Sequence, residues 1–153
     1  MWASAFGVVN IMALLGWLAL ILVPRGRLID SLVLYLGVTL LCLVYAVLLG
    51  LLLTGLVDGG GTGAGGAGFT SIEGIRAIFA TDGGVVVGWT HYLAFDLFTG
   101  LWIAKDAQAK EISRIVQTPV LLLTLVAGPA GLLVWMLLRE KSARLAARAS
   151  GNR

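Results

Sequence analysis

The stretch GWTHYLAFDLFTGLW, Gly88 to Trp102, sets the chain's single His, an Asp and five aromatic rings inside an apolar run long enough to cross a bilayer. A charged side chain at bilayer depth costs about 2.5–3.5 kcal/mol on insertion scales, so Asp96 is expected to face protein or water. At about 100° per residue, Trp89, Tyr92, Asp96, Thr99 and Gly100 line one side of this helix, and His91, Phe95, Phe98 and Trp102 another. His91 and Asp96 fall roughly 140° apart. They cannot make the i,i+4 pair of a helical metal site or of a directly coupled acid/base dyad, and joint action would need another helix, a water or a ligand. Each residue also has a plainer reading. Asp96 can bond a neighbouring helix or a loop cation, His91 can be solvated near the helix start, and the aromatic rings can serve packing and interfacial anchoring.

Composition sets the class around this helix. Of 153 residues, 59% are hydrophobic and only 12% charged, with a mean hydropathy of +0.97, a profile that points to an all-α, polytopic membrane protein with one domain. The net charge of +3 comes from loop and tail Lys and Arg and suits anionic headgroups; no basic stripe with interleaved aromatics suggests nucleic acid. One cysteine, Cys42, excludes an intrachain disulfide, and one thiol with one His cannot supply a Cys/His zinc site. No metal and no cofactor are expected.

Four spans are expected, at about 3–23, 31–56, 83–104 and 118–138, in a bundle. The first is a retained helix: it lacks the basic n-region and small-residue cleavage signature of a signal peptide. Asn10 within it can bond another helix. The seven-residue PRGRLID turn makes spans one and two antiparallel neighbours. Residues 58–68, DGGGTGAGGAG, read as a flexible linker. Gly61, Gly63 and Gly66 match GxGxxG formally, but no strand precedes them, so a dinucleotide site is not expected. Thr70 to Glu73 reads as a capping box opening a short interfacial helix, 71–80, with Ile72, Ile75 and Phe79 on one face. Thr118 as N-cap and Pro119 at the first helical position are expected to start span four. Gly128-Pro129-Ala130-Gly131 should kink or open it near mid-membrane, and a basic tail, 139–153, follows with a disordered end. With four spans, the basic residues divide between Arg25, Arg27, Lys105, Lys110 and Arg114 on one side and Arg76 with the tail on the other, so their count sets no orientation.

The run Trp89–Ile103, then Asp106-Ala107, Pro119–Leu125, and GPAGLL at Gly128–Leu133 with Arg139 behind it, resembles the small four-span family named for abscisic acid deficiency, type four. The resemblance covers about Trp89 to Arg139. Plant members are needed to form neoxanthin from violaxanthin in plastids, and related sequences occur in bacteria. The chain starts directly at a span with no plastid transit segment, which suggests a bacterial member in the inner membrane.

The resemblance implies an isomerase-like, neoxanthin-synthase-like role in carotenoid biosynthesis: an isomerisation that opens a terminal epoxide by delivering a proton to oxygen and removing one from carbon. Asp96 is then the proton donor or base and His91 its water- or ligand-mediated complement. Trp89, Tyr92, Phe95, Phe98 and Trp102 would wall a polyene, with Asn10 and Arg114 as further substrate contacts. The alternative is a non-catalytic pigment- or lipid-binding or assembly protein that uses the same helix face. A transporter is a weaker third reading, since so few polar groups give little lining. Expected partners are membrane lipids, a carotenoid or isoprenoid ligand and, left open, further copies of the chain. Asp96 should point inward, toward Asn10, Thr118, Gln117 or Arg114, with Arg114 the strongest partner.

Overall fold

The computed structural model describes residues 1–24, 26–61 and 66–150, the last ten by backbone alone. Among them the chain is all-helical, with no strand: α1 (Trp2–Leu22), α2 (Arg27–Leu53), α3 (Ile72–Phe79), α4 (Asp82–Ala109), α5 (Arg114–Val126) and α6 (Gly128–Ser150). The Val33–Thr39 part of α2 is wound as a π-helix, where the Thr39 hydroxyl bonds back to the Leu34 carbonyl at 3.0 Å. Two helices are long and apolar enough to cross a membrane, α1 with mean hydropathy 2.3 and α2 with 2.7. The 28 residues of α4 are length enough as well, but its His91, Asp96 and threonines dilute the apolar run.

The helix α4 is the central element, because its small residues let neighbours close on it. A Cβ on Gly100 would come within 2.5 Å of the Trp17 ring on α1, and one on Gly37 of α2 within 2.9 Å of Leu97. The core so formed holds Trp17, Leu20, Leu41, Leu97, Ile103 and Trp135, all fully buried. Many apolar side chains stay outside it, among them Ile11 and Leu15 of α1 and Leu36 and Leu43 of α2. That apolar outer surface is what a lipid-facing bundle requires.

Contacts at successive levels of α4 fix the direction of each neighbour. Beside α1, Trp2 meets Gly83, Asn10 meets Trp89 and Trp17 meets Gly100, so α1 and α4 run the same way. Beside α2 the order reverses: Leu52 meets Gly83, Tyr45 meets His91, and Gly37 meets Leu97. The helix α5 also runs against α4, from Gln117 beside Ile103 to Val126 beside Tyr92. Then α6 runs with α4, from Gly128 at Asp96 to Arg139 at Asp106. The chain therefore reverses at Ala127, whose φ of −148° and ψ of 77° lie outside the helical region.

This corrects the expected single helix over 118–138. Pro129 brings no N–H, and Gly131 closes directly on Thr124 of α5, where any Cβ would collide with its backbone. The Gly-Pro-Ala-Gly segment thus forms the first turn of α6, and the backbone expected to kink or open there instead reverses one residue earlier, at Ala127, into a tight helical hairpin. Helix starts differ too. Ser113 is the N-cap of α5, while Thr118 bonds back to the Arg114 carbonyl and Pro119 lies inside the helix. Pro119 costs only the donor for the carbonyl of Ile115, a residue 86% exposed. Ser71, not Thr70, caps α3, accepting from the Gly74 amide, and Thr81 caps α4 through Gly84.

The glycine linker is tied down where it is described. Trp2 Nε1 donates to the Asp58 carbonyl, Gly83 N to Gly59, and Gly68 N to Gly74. Gly63, and the end of the tail from residue 151, lie outside the described residues.

Candidate functional site

The reversal at Ala127 brings two helix ends, the end of α5 and the start of α6, to one point on α4. Asp96 is 7% exposed and points into the corner between α5 and α6. Its carboxylate interacts with the Tyr92 side chain, one helical turn away, and with the backbone of Gly128, the first residue of α6. The free amides and partial positive charge of a helix start favour an acidic group there. Its Oδ2 atom is buried and has no hydrogen-bond partner among the described residues. A buried carboxylate oxygen so placed is open to a proton, a water or a ligand donor.

Tyr92 joins this carboxyl to the end of α5, its hydroxyl donating to the Val126 carbonyl at 2.9 Å. A phenol has a single proton. While that proton serves Val126, the Tyr92 oxygen can only accept, so a hydrogen bond between the two side chains then requires the proton to be on the Asp96 carboxyl. If Asp96 is ionised, the phenol proton can turn to it instead. Further along the same face, Trp89 stacks on Tyr92 with centroids 5.2 Å apart and donates to Asn10 Oδ1 at 3.0 Å. Asn10 is itself oriented by a bond to the Phe6 carbonyl. Asn10, Trp89, Tyr92 and Asp96 thus form one polar and aromatic track.

The other expected residues lie apart from this track. His91 is exposed on the far side of α4, between Tyr45 at 5.4 Å and Phe95 at 4.7 Å. Arg114 does not approach Asp96; it donates to the Ile21 and Val23 carbonyls at the end of α1. Gln117 is buried against Ile103, and Thr118 bonds its own helix. The inward position expected for Asp96 is therefore found, but each of its four expected partners is replaced by a helix terminus and a tyrosine. Phe95 is 56% exposed. Phe98 and Trp102, with Thr99, Leu132 and Met136, line an open groove of about 310 Å³ along the α4–α6 seam.

A second polar cluster closes the far end of that seam. Asp106 accepts from Trp135 Nε1 at 3.0 Å, pairs with Arg139 at 3.0 Å, and bonds Lys110 one turn on. Burial pushes its carboxyl up, but the bonds from Lys110 and Trp135 and the charge of Arg139 outweigh this and hold it below the ordinary carboxylate range. Arg139 in turn stacks over Trp102, 5.3 Å from the ring centroid. Sequence reasoning gave Asp106, Trp135 and Gly128 no part in a site; the contacts join residues 29 and 33 apart across a reversal that the sequence does not announce. No group of three His, Cys, Asp or Glu able to hold a metal ion occurs among the described residues.

A family model described as ABA DEFICIENT 4-like matches residues 4–135. No curated protein matches the chain, and no solved structure does.

Proposed function

The chain belongs to the ABA DEFICIENT 4-like family, and we propose that it acts on a carotenoid or related isoprenoid inside a bacterial inner membrane, isomerising an epoxide by acid/base chemistry at Asp96. The family supports a membrane protein related to the carotenoid and abscisic acid pathway. The observation that carries the chemistry is the buried Oδ2 of Asp96, without a partner among the described residues, at the helix reversal and beside a second proton-bearing group, Tyr92. In this reading a protonated Asp96 gives its proton to the epoxide oxygen as the C–O bond opens. The Asp96 carboxylate so formed takes a proton from a neighbouring carbon, which restores its acid form and leaves the substrate's atom count unchanged. Positioned groups of this kind contribute about 10²–10⁴ in rate.

Tyr92 takes the place first expected of His91, since it lies on the Asp96 side of α4 and its hydroxyl can turn to the Asp96 carboxylate once that group has given up its proton. The groove of Phe98, Trp102, Leu132 and Met136 suits a polyene more than a polar metabolite. Expression in a carotenoid-producing bacterium with pigment profiling tests the reading. A changed pigment of unaltered mass is the expected result; an unchanged profile with folded protein overturns it.

The contact between Asp96 and Gly128 favours a second reading, in which the carboxylate only caps α6 and the protein binds pigment or lipid without turning it over. Asp96→Asn separates the two. Asn is a good helix cap but a poor acid, so intact pigment conversion in that variant would favour the cap.

A further inference from the structure

The direction of the hairpin changes how the chain sits in a membrane. The helix α1 ends, and α2 begins, at the face of the bundle where α4 ends: Arg114, at the start of α5, holds the Ile21 and Val23 carbonyls. From that face α5 runs 13 residues, roughly 20 Å, against about 30 Å for a hydrocarbon core. Its end, Val126, lies level with Tyr92, ten residues along the 28 of α4. The hairpin tip is therefore at mid-depth, and α6 returns to the starting face, where Arg139 meets Asp106.

The return of α6 gathers the cations. Arg27, Lys105, Lys110, Arg114 and Arg139 all lie at this one face, and the end of α6 adds Lys141, Arg144 and Arg148 to it. The opposite face, where α1 starts and α4 is capped, carries Asp58, Glu73 and Asp82 and, among the described residues, Arg76 as its single Lys or Arg. A four-crossing chain would have split the basic residues evenly; the hairpin makes the asymmetry nearly complete. Lys and Arg near span ends are retained on the cytoplasmic side, where anionic lipids attract them.

We propose that α5 and α6 form a re-entrant hairpin that enters and leaves the membrane on the basic face, and that this face docks on the anionic headgroups of the cytoplasmic leaflet. The chain then crosses the membrane three times, by α1, α2 and α4, with its N-terminus on the far side. Non-helical backbone at mid-depth needs its polar groups satisfied from within the protein: Tyr92 holds the Val126 carbonyl, the Ala127 amide bonds the Leu123 carbonyl, and Gly128 is buried against Asp96.

Cysteine accessibility in intact bacterial cells tests it. In a Cys42→Ser background, Thr70→Cys, Ser113→Cys, Ser142→Cys and Val126→Cys are made one at a time; Thr70, Ser113 and Val126 are exposed in the fold. Labelling in denaturing detergent first establishes that each thiol is present. A membrane-impermeant maleimide should then label Thr70→Cys in intact cells, and Ser113→Cys and Ser142→Cys only after permeabilisation. Val126→Cys, 76% exposed but at bilayer depth, should stay unlabelled in both conditions. Labelling of positions 113 and 142 from opposite sides would restore four crossings and overturn the proposal. External labelling of both would overturn the orientation, and ready labelling of position 126 would place the hairpin in water.

Discussion

Gly128 and Asp96 share one space: a Cβ on Gly128 would collide with Oδ1 of the Asp96 carboxylate. The turn that ends α5 and the carboxyl at the centre of α4 are thus a single structural unit. Gly128→Ala must push the carboxylate away from the start of α6, at a cost of about 1–3 kcal/mol, as overpacking of a tight site commonly has. In an Asp96→Ala background the same substitution has room and should cost clearly less. Thermal unfolding of the four proteins in one detergent measures the coupling; additive effects would show that the two residues do not share this space.

Asp96→Asn separates capping from chemistry. The amide fills the same volume and can still accept from the Gly128 amide, so stability should change by less than about 1 kcal/mol. Pigment conversion should fall by roughly 10²–10⁴ if the carboxyl handles the proton. A large loss of stability alongside the loss of conversion would assign Asp96 to the fold alone.

The uneven legibility of these features has physical causes. The all-helical fold, the two apolar helices α1 and α2 and the two faces of α4 follow from hydropathy and the 3.6-residue period, and the structure has them. The sequence also marks a break at Gly128–Gly131. Direction is another matter, because a kinked crossing and a folded-back hairpin have the same apolar length and the same Gly and Pro. The partner of Asp96 was hidden for a related reason: it is a backbone amide at a helix start, and no residue type signals it. Arg114 looked like the natural counter-charge, yet the end of α1 offers it two carbonyls. His91 was set apart from Asp96 by angle alone, and it lies on the opposite face.

Asp106 should make the basic face sensitive to acid. Its carboxyl is held below the ordinary value near 3.9, so its contribution to stability is complete above that value. It is lost as pH falls through the lower, folded value. Asp106→Asn should remove this acid dependence and cost about 1–3 kcal/mol at neutral pH, since Arg139 and Lys110 lose their charged partner while Trp135 keeps an acceptor. Unfolding measured from neutral pH down to the carboxylate range compares the two proteins; parallel curves would show that another group governs the acid transition.

The last prediction places the chemistry on one side of α4. Tyr92→Phe keeps the ring that stacks on Trp89 and removes only the hydroxyl, which bonds Val126 and faces Asp96. It should cost about 1 kcal/mol of stability for the lost bond and much more in conversion, since the carboxyl loses the group that shares its proton. His91→Ala, by contrast, removes an exposed ring whose contacts are with Tyr45 and Phe95. It should leave conversion nearly unchanged, because a group on the opposite side of a helix cannot reach a ligand held at Asp96. Pigment conversion normalised to folded protein reads both variants. Full activity in Tyr92→Phe together with a dead His91→Ala would move the reacting end of the ligand to the α2 side and leave Asp96 as a cap.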